Sequence, residues 1–411
     1  MPRRRWMLLL AVCALALVSW RTAHRRNEGD LRVYYETVGR LSRGLDLYQR
    51  REGPDPQRPT GFIYPPLFAV FFWPLTALPF PLLRGLWCFA TGLCALRAFV
   101  LAHDLLRRER PPPPRAGLAL AAGALVALRF VWSDLGHGQA NLVVIWLTLE
   151  GIVQAARGRE LLGGALLATA TLFKLTPAIV VAGYLVRGRR RVVLGALLGG
   201  LIGLLLPALV LGPLGNLDAL WRFATVVTSW NDAQHGYVGN NASLTSALQR
   251  LLVGVADAGQ RPAPLLLSLP PGPVRILCAL LSLASLAGSL ALARTVRGEA
   301  ARSAVLLAAI PLVSPVAWKP HLVCLVLPAL FAAEAVTRRG LRRAWPLALA
   351  LGLLGLSGRL VLGRAASDAF LRWGGLTGAL VLLAGALALA AREEEGTPAP
   401  PPPSSSADAP A

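Results

Sequence analysis

The chain has 411 residues, 55% of them hydrophobic and 15% charged, and carries a formal net charge of +21. That is more apolar surface than a soluble domain of this length can bury, which excludes an ordinary soluble protein and indicates a polytopic membrane protein. The charge would suggest nucleic acid in a soluble chain, but here the arginines cluster in short loops between apolar runs, where they set orientation and meet anionic head groups. The bilayer is the expected partner, and nucleic acid is not.

The apolar runs approach the length of about 20 residues that a helix needs to cross the hydrocarbon, and the alternating pattern of a β-barrel is absent. The fold class is therefore all-α. Residues 1–391 read as one integral-membrane domain, and 392–411, rich in Pro, Ser and Ala, as a disordered cytosolic tail. The five cysteines show no paired spacing, so neither a disulfide framework nor a metal site is indicated. Of 42 basic residues only Lys174 and Lys319 are lysine, and each stands near a proline between apolar runs.

In chain order, Arg3, Arg4 and Arg5 precede an apolar run from Met7 to Trp20, a pattern shared by signal peptides and uncleaved anchors and read here as an uncleaved first span with a cytosolic N-terminus. Residues 21–61 form the first polar loop. Within it Asp30 to Arg43 is patterned as an amphipathic helix closed by Gly44, with Asp30 and Tyr34 on one face. Phe62 to Pro79 and Arg84 to Leu106 are the next apolar runs; parity requires one of them to be short or re-entrant. The runs 116–133 and 142–156 flank the polar turn SDLGHGQAN. The run 161–186 reads as two short helices meeting near Lys174 to Pro177, with one long span as the alternative. After a span at 192–212 comes a long polar stretch, 213–272, in which Trp221, Trp230, Asn240, Asn241 and Ser243 are candidates to line a binding site. Five more apolar runs bring the expected total to ten to twelve spans.

Placing the arginine-rich loops in the cytosol gathers 107–115, 157–160, 187–191, 294–302 and 338–343 on one side. Asp30, GHGQAN, Lys174, 213–272 and SPVAWKP then share the extracytoplasmic face. The nine arginines of 21–61 run against the rule. Two readings stand for each polar candidate. Asp30 either caps the helix it begins or serves as a general base at the membrane surface. Lys174 either snorkels or pairs with an anion, because an ammonium at membrane depth costs about 2.5–3.5 kcal/mol. His321 is an interfacial histidine or a ligand contact. His137, Gln139 and Asn141 form turn chemistry or a set of sugar-reading hydrogen-bond groups. Tyr64-Pro65-Pro66 fixes the entry angle of the following helix.

The order of GDLRVYYETVGRLSRGLDLY, FIYPPLFAVFFWPLTALP, GHGQANLVVIWL, LFKLTPAIVVAGYLVRGRRR, GNNASLTSALQR and SPVAWKPHLVCLVLPAL resembles glycosyltransferase family 87 over about residues 29–335. The resemblance implies a GT-C-like helical bundle whose first extracytoplasmic loop carries the catalytic acid residue, here Asp30. It implies inverting transfer of a hexose, most often mannose, from a polyprenyl-phosphate donor to a hydroxyl of a glycolipid or glycan acceptor at the cell membrane. Lys174, with His321 or Lys319, would then hold the donor phosphate, and Tyr34, His137, Gln139 and Asn141 the sugars. A lipid phosphate leaving group requires no nucleotide-binding metal, so neither metal nor cofactor is expected. A transporter or flippase of lipid-linked sugars is the alternative, although no internal repeat of the kind such proteins carry is visible.

Overall fold

The computed structural model describes residues 15–22, 29–48, 62–233, 241–254 and 265–393. Arg3 to Arg5, the first half of the apolar run Met7 to Trp20, Asn240 and the tail from 394 lie outside the described residues, as does the Trp230 side chain. Among the described residues there is no strand. The helices in chain order are α1 (Gly29–Val38), α2 (Pro66–Phe72), α3 (Phe80–Glu109), α4 (Ala116–His137), α5 (Asn141–Ala156), α6 (Glu160–Phe173), α7 (Ala178–Val186) and α8 (Arg190–Leu205). They continue with α9 (Ala208–Leu211), α10 (Pro213–Ala233), α11 (Leu244–Val253), α12 (Pro271–Thr295), α13 (Glu299–Val313), α14 (Val326–Arg339), α15 (Trp345–Leu356), α16 (Arg359–Arg372) and α17 (Gly375–Glu393).

Six helical segments among the described residues are long and apolar enough to span a bilayer, and the pair α15 and α16, bent by 94°, makes a seventh if counted as one. The polytopic all-α class holds, with fewer full-length spans than the ten to twelve expected. The difference lies in the short runs. At 16 residues α5 is about 24 Å long, against about 30 Å of hydrocarbon, and α6 is shorter. Thirteen of the 16 residues of α5 are buried. It is hydrophobic all round because it is the core of the bundle. The run at 62–79 is likewise short, ending as a 3-10 turn over Trp73–Ala77.

Glycines set the closest helix contacts. A Cβ on Gly164 of α6 would overlap the Val192 carbonyl oxygen of α8, and one on Gly163 would stand 2.7 Å from the Gly151 carbonyl of α5. Small residues let these backbones touch, which is how packing is gained where lipid gives no hydrophobic drive.

Long side chains close one end of the bundle. The Glu109 carboxylate accepts from the amides of Glu299 (2.5 Å) and Ala300 (3.1 Å). Glu299 pairs with Arg187 (3.0 Å) and Arg302 (2.7 Å), Arg107 pairs with Glu334, and Arg338 donates to the Pro111 carbonyl. Segments of four of the five arginine-rich loops thus meet at one end, and Arg189 reaches the fifth through Glu160 at 2.5 Å. The stretch 213–272, expected as a loop, is largely helical among its described residues, through α10, α11 and the start of α12.

Candidate active site

The opposite end is built where α1 lands on the end of α4. Leu31, Tyr34 and Val38, at helical spacing, are buried with Phe62, Phe68, Phe72 and Trp87 in an aromatic cluster. Gly29 and Gly138 both have positive φ, 60° and 65°. Their missing side chains allow the approach: a Cβ on Gly29 would lie 2.5 Å from the His137 carbonyl, and one on Gly138 2.7 Å from the Leu31 Cβ. The Trp87 indole also donates to the Gly138 carbonyl at 3.0 Å. Asp30 is thereby held against the turn that follows α4.

Five side chains join across that turn. The Gln139 amide donates to the Asp30 carboxylate, and the Asn141 amide donates both to the Gln139 carbonyl oxygen and to Asp134 Oδ2, the latter at 2.8 Å. Lys174 Nζ donates to Asn141 Oδ1 at 2.5 Å and stands 5.8 Å from the centre of the Tyr64 ring. The lysine does not snorkel. Pro177 at the start of α7 cannot continue the helix of α6, so the chain opens between them, and Lys174 adopts an extended backbone (φ −157°, ψ 129°) that turns its side chain inward. The two-helix reading of 161–186 is the observed one.

A cavity of about 50 Å³ adjoins Lys174, lined also by Asn141, Thr176, Ser314, Ala317 and His321. His321 Nδ1 faces the Val316 carbonyl at 3.3 Å, and its ring stacks on Trp318. Only Nε2 is left for a ligand. Asn241 and Ser243, expected to line an acceptor site, instead clamp this segment. Asn241 accepts from the Ala317 amide at 2.9 Å, and both side chains donate to the Pro315 carbonyl, at 3.1 and 2.8 Å. Trp221 is 74% exposed.

Three of the expected residues do not join the constellation. Lys319 does not line the cavity and lies in the field of Arg129, Arg359 and Asp368. It begins a 3-10 turn, in which residues two apart point about 120° away from each other, so Lys319 and His321 cannot serve one ligand. His137 is exposed, and its Nδ1 is engaged with the Ser133 carbonyl of its own helix at 2.7 Å. Tyr34 shares α1 with Asp30 but is 1% exposed, its hydroxyl 2.5 Å from that of Tyr64.

Asp134 and Tyr64 are the residues that the sequence reading passed over. Asp134 is an acid at the end of an apolar run, a signal of the same kind as Lys174. At Tyr64 the two prolines that follow dominate the sequence signal. Burial pushes both phenols, Tyr34 and Tyr64, above their ordinary range, so both stay protonated at neutral pH and one donates to the other. Tyr34→Phe or Tyr64→Phe alone is expected to cost about 1–3 kcal/mol, because each strands a buried hydroxyl, while the double variant costs less than their sum. Thermal unfolding in detergent checks this, and strict additivity would refute the pairing.

A helical membrane protein with ion-paired arginine loops at one end and a buried acid, amide and lysine constellation at the other is the class these features define. The chain belongs to glycosyltransferase family 87, whose family model matches residues 62–315. That span contains Tyr64, Asp134, Gln139, Asn141 and Lys174; Asp30 and His321 flank it. Among characterised relatives, the polyprenol-phosphate-mannose-dependent alpha-(1-2)-phosphatidylinositol pentamannoside mannosyltransferase of Mycobacterium tuberculosis is 30% identical over 190 residues, 46% of this chain and 43% of the relative. The polyprenol-phosphate-mannose-dependent alpha-(1-2)-phosphatidylinositol mannoside mannosyltransferase of Mycolicibacterium smegmatis is 33% identical over 136 residues, 31% of this chain and 30% of the relative. The chain spans less than half the length of the curated relatives it matches.

Proposed function

We propose that this protein transfers a hexose, mannose in the first instance, from a polyprenyl-phosphate donor to a hydroxyl of an envelope glycolipid or glycan, with inversion, on the extracytoplasmic face of the cell membrane. The observation that carries the reading is the continuous hydrogen-bonded path from the Asp30 carboxylate through Gln139 and Asn141 to the Lys174 ammonium. It holds a base and a cation in one constellation, at the end of the bundle away from the arginine-rich loops. The positive-inside tendency puts those loops in the cytosol and the constellation outside. Names of the relatives supply the donor and the acceptor class.

In this mechanism Asp30 takes the proton of the acceptor hydroxyl as its oxygen forms the bond to the anomeric carbon. The bond from that carbon to the phosphate oxygen breaks, and its electron pair leaves with the polyprenyl phosphate. Lys174 stabilises the charge that develops on the leaving group, and His321 Nε2 borders the same cavity. Fixed donors at the point where charge develops are among the strongest catalytic contributions a site can make.

The test is radiolabelled transfer by the purified full chain in nanodiscs, with polyprenyl-phosphate mannose as donor and a mannosylated phosphoinositide as acceptor. Labelled glycolipid with loss of donor is expected. Movement of the intact donor across the bilayer without transfer would overturn the reading in favour of a flippase.

A further inference from the structure

We propose that Asp134 is a positioning residue that holds Asn141, the shared link of the path from Lys174 to Asp30, in place. This deepens the transfer reading and rests on it. Asp134 lies in the last turn of α4 and is 0% exposed. Its Oδ2 accepts from Asn141 at 2.8 Å, while its Oδ1 has no hydrogen-bond partner among the described residues. A carboxylate buried with one idle oxygen is a poor packing element, since an apolar residue of that volume would cost less.

What the acid does is visible at Asn141. A carboxylate oxygen only accepts and an ammonium only donates. Lys174 therefore requires the oxygen of the Asn141 amide, which leaves its NH₂ for Asp134 and Gln139. With both ends fixed, Asn141 can only donate to Gln139, so Gln139 must offer its oxygen there and its NH₂ to Asp30. Asp30, which only accepts, sets the same direction from the other end, so what Asp134 adds is a second acceptor that fixes where the Asn141 amide sits. Without Asp134 the Asn141 NH₂ keeps only the Gln139 acceptor, and the side chain that Lys174 and Gln139 both contact loses one of the bonds that hold it.

Asp134→Leu is expected to lower kcat about 10- to 100-fold, the usual loss when a residue that orients a functional group is removed, with the acceptor KM within about twofold of wild type. Asp134→Asn keeps an oxygen that can accept from Asn141 and should recover at least about tenfold of that loss. A second measurement does not need turnover: the affinity for polyprenyl phosphate, without sugar, should weaken about tenfold in Asp134→Leu because Lys174 is no longer held. If Asp134→Leu does not fold, Asn141→Ala must give the same kcat loss at unchanged acceptor KM, and wild-type kcat in that variant would overturn the bridge. Equal behaviour of the Leu and Asn variants in both measurements would overturn it too, leaving Asp134 a purely structural acid. Wild type that binds polyprenyl phosphate but transfers nothing refutes the transfer reading alone, and the affinity series then decides the role of Asp134.

Discussion

Asp30→Asn will lower transfer about 10²- to 10⁴-fold, the contribution of a well-placed general base, while leaving the KM for donor and acceptor nearly unchanged. The substitution is clean because Asn presents an oxygen where Asp does, so the bond from Gln139 persists and only basicity is lost. Stability is not the confounding term. Asp30 sits in the first turn of α1, where a negative charge on the helix dipole is worth about 0.3–1 kcal/mol, too little to unfold an element anchored by Leu31, Tyr34 and Val38. Asp30→Glu restores the acid but displaces it by a methylene, and an error near 1 Å at a reacting centre can cost about 10²-fold. Neither variant should therefore resemble wild type. Initial rates with saturating donor decide the matter, and Asp30→Asn turning over within about threefold of wild type would remove this residue from the chemistry.

Much of this arrangement was legible in the sequence, for reasons that can be stated residue by residue. Pro177 marked the break that turns Lys174 inward, and Gly44, with φ 65°, closes the helical stretch as its position suggested. Segments of the arginine-rich loops converge at one end, where Glu109 and Glu299 tie them together. Other features were not legible. Composition cannot tell a lipid-facing span from a buried helix, so it does not show that the 16 residues of α5 form the core of the bundle. Polarity hid α10, where Leu217, Leu220, Ala224 and Val227 follow helical spacing inside a stretch read as loop. Gln139 and Asn141 looked like groups that read sugar hydroxyls, yet their amides are engaged with each other and with Asp30, Asp134 and Lys174. Only packing α1 on the end of α4 brings Asp30 to them, and that contact depends on what two glycines lack.

Lys174→Met is the second large effect, and it separates catalysis from stability. Removing the ammonium relieves a burial cost of about 2.5–3.5 kcal/mol, while stranding Asn141 Oδ1 costs about 1–3 kcal/mol. These two terms nearly cancel, and what remains is the loss of the cation beside the buried Asp134, so the unfolding temperature in detergent should fall modestly. Turnover should move a great deal. A cation placed at a developing phosphate charge in a site shielded from water is worth about 10²- to 10³-fold in kcat, the scale of one lost oxyanion donor. Lys174→Arg is not expected to rescue it, because the planar guanidinium cannot occupy the point between Asn141 and the face of Tyr64 that a compact ammonium fills. The leaving group gives the deciding comparison. If Lys174 acts on the phosphate, a donor analogue with a less basic leaving group should lose less rate in Lys174→Met than polyprenyl-phosphate mannose does. Equal losses for both donors, in a variant that remains folded, would show that the lysine binds the donor without assisting departure of the phosphate.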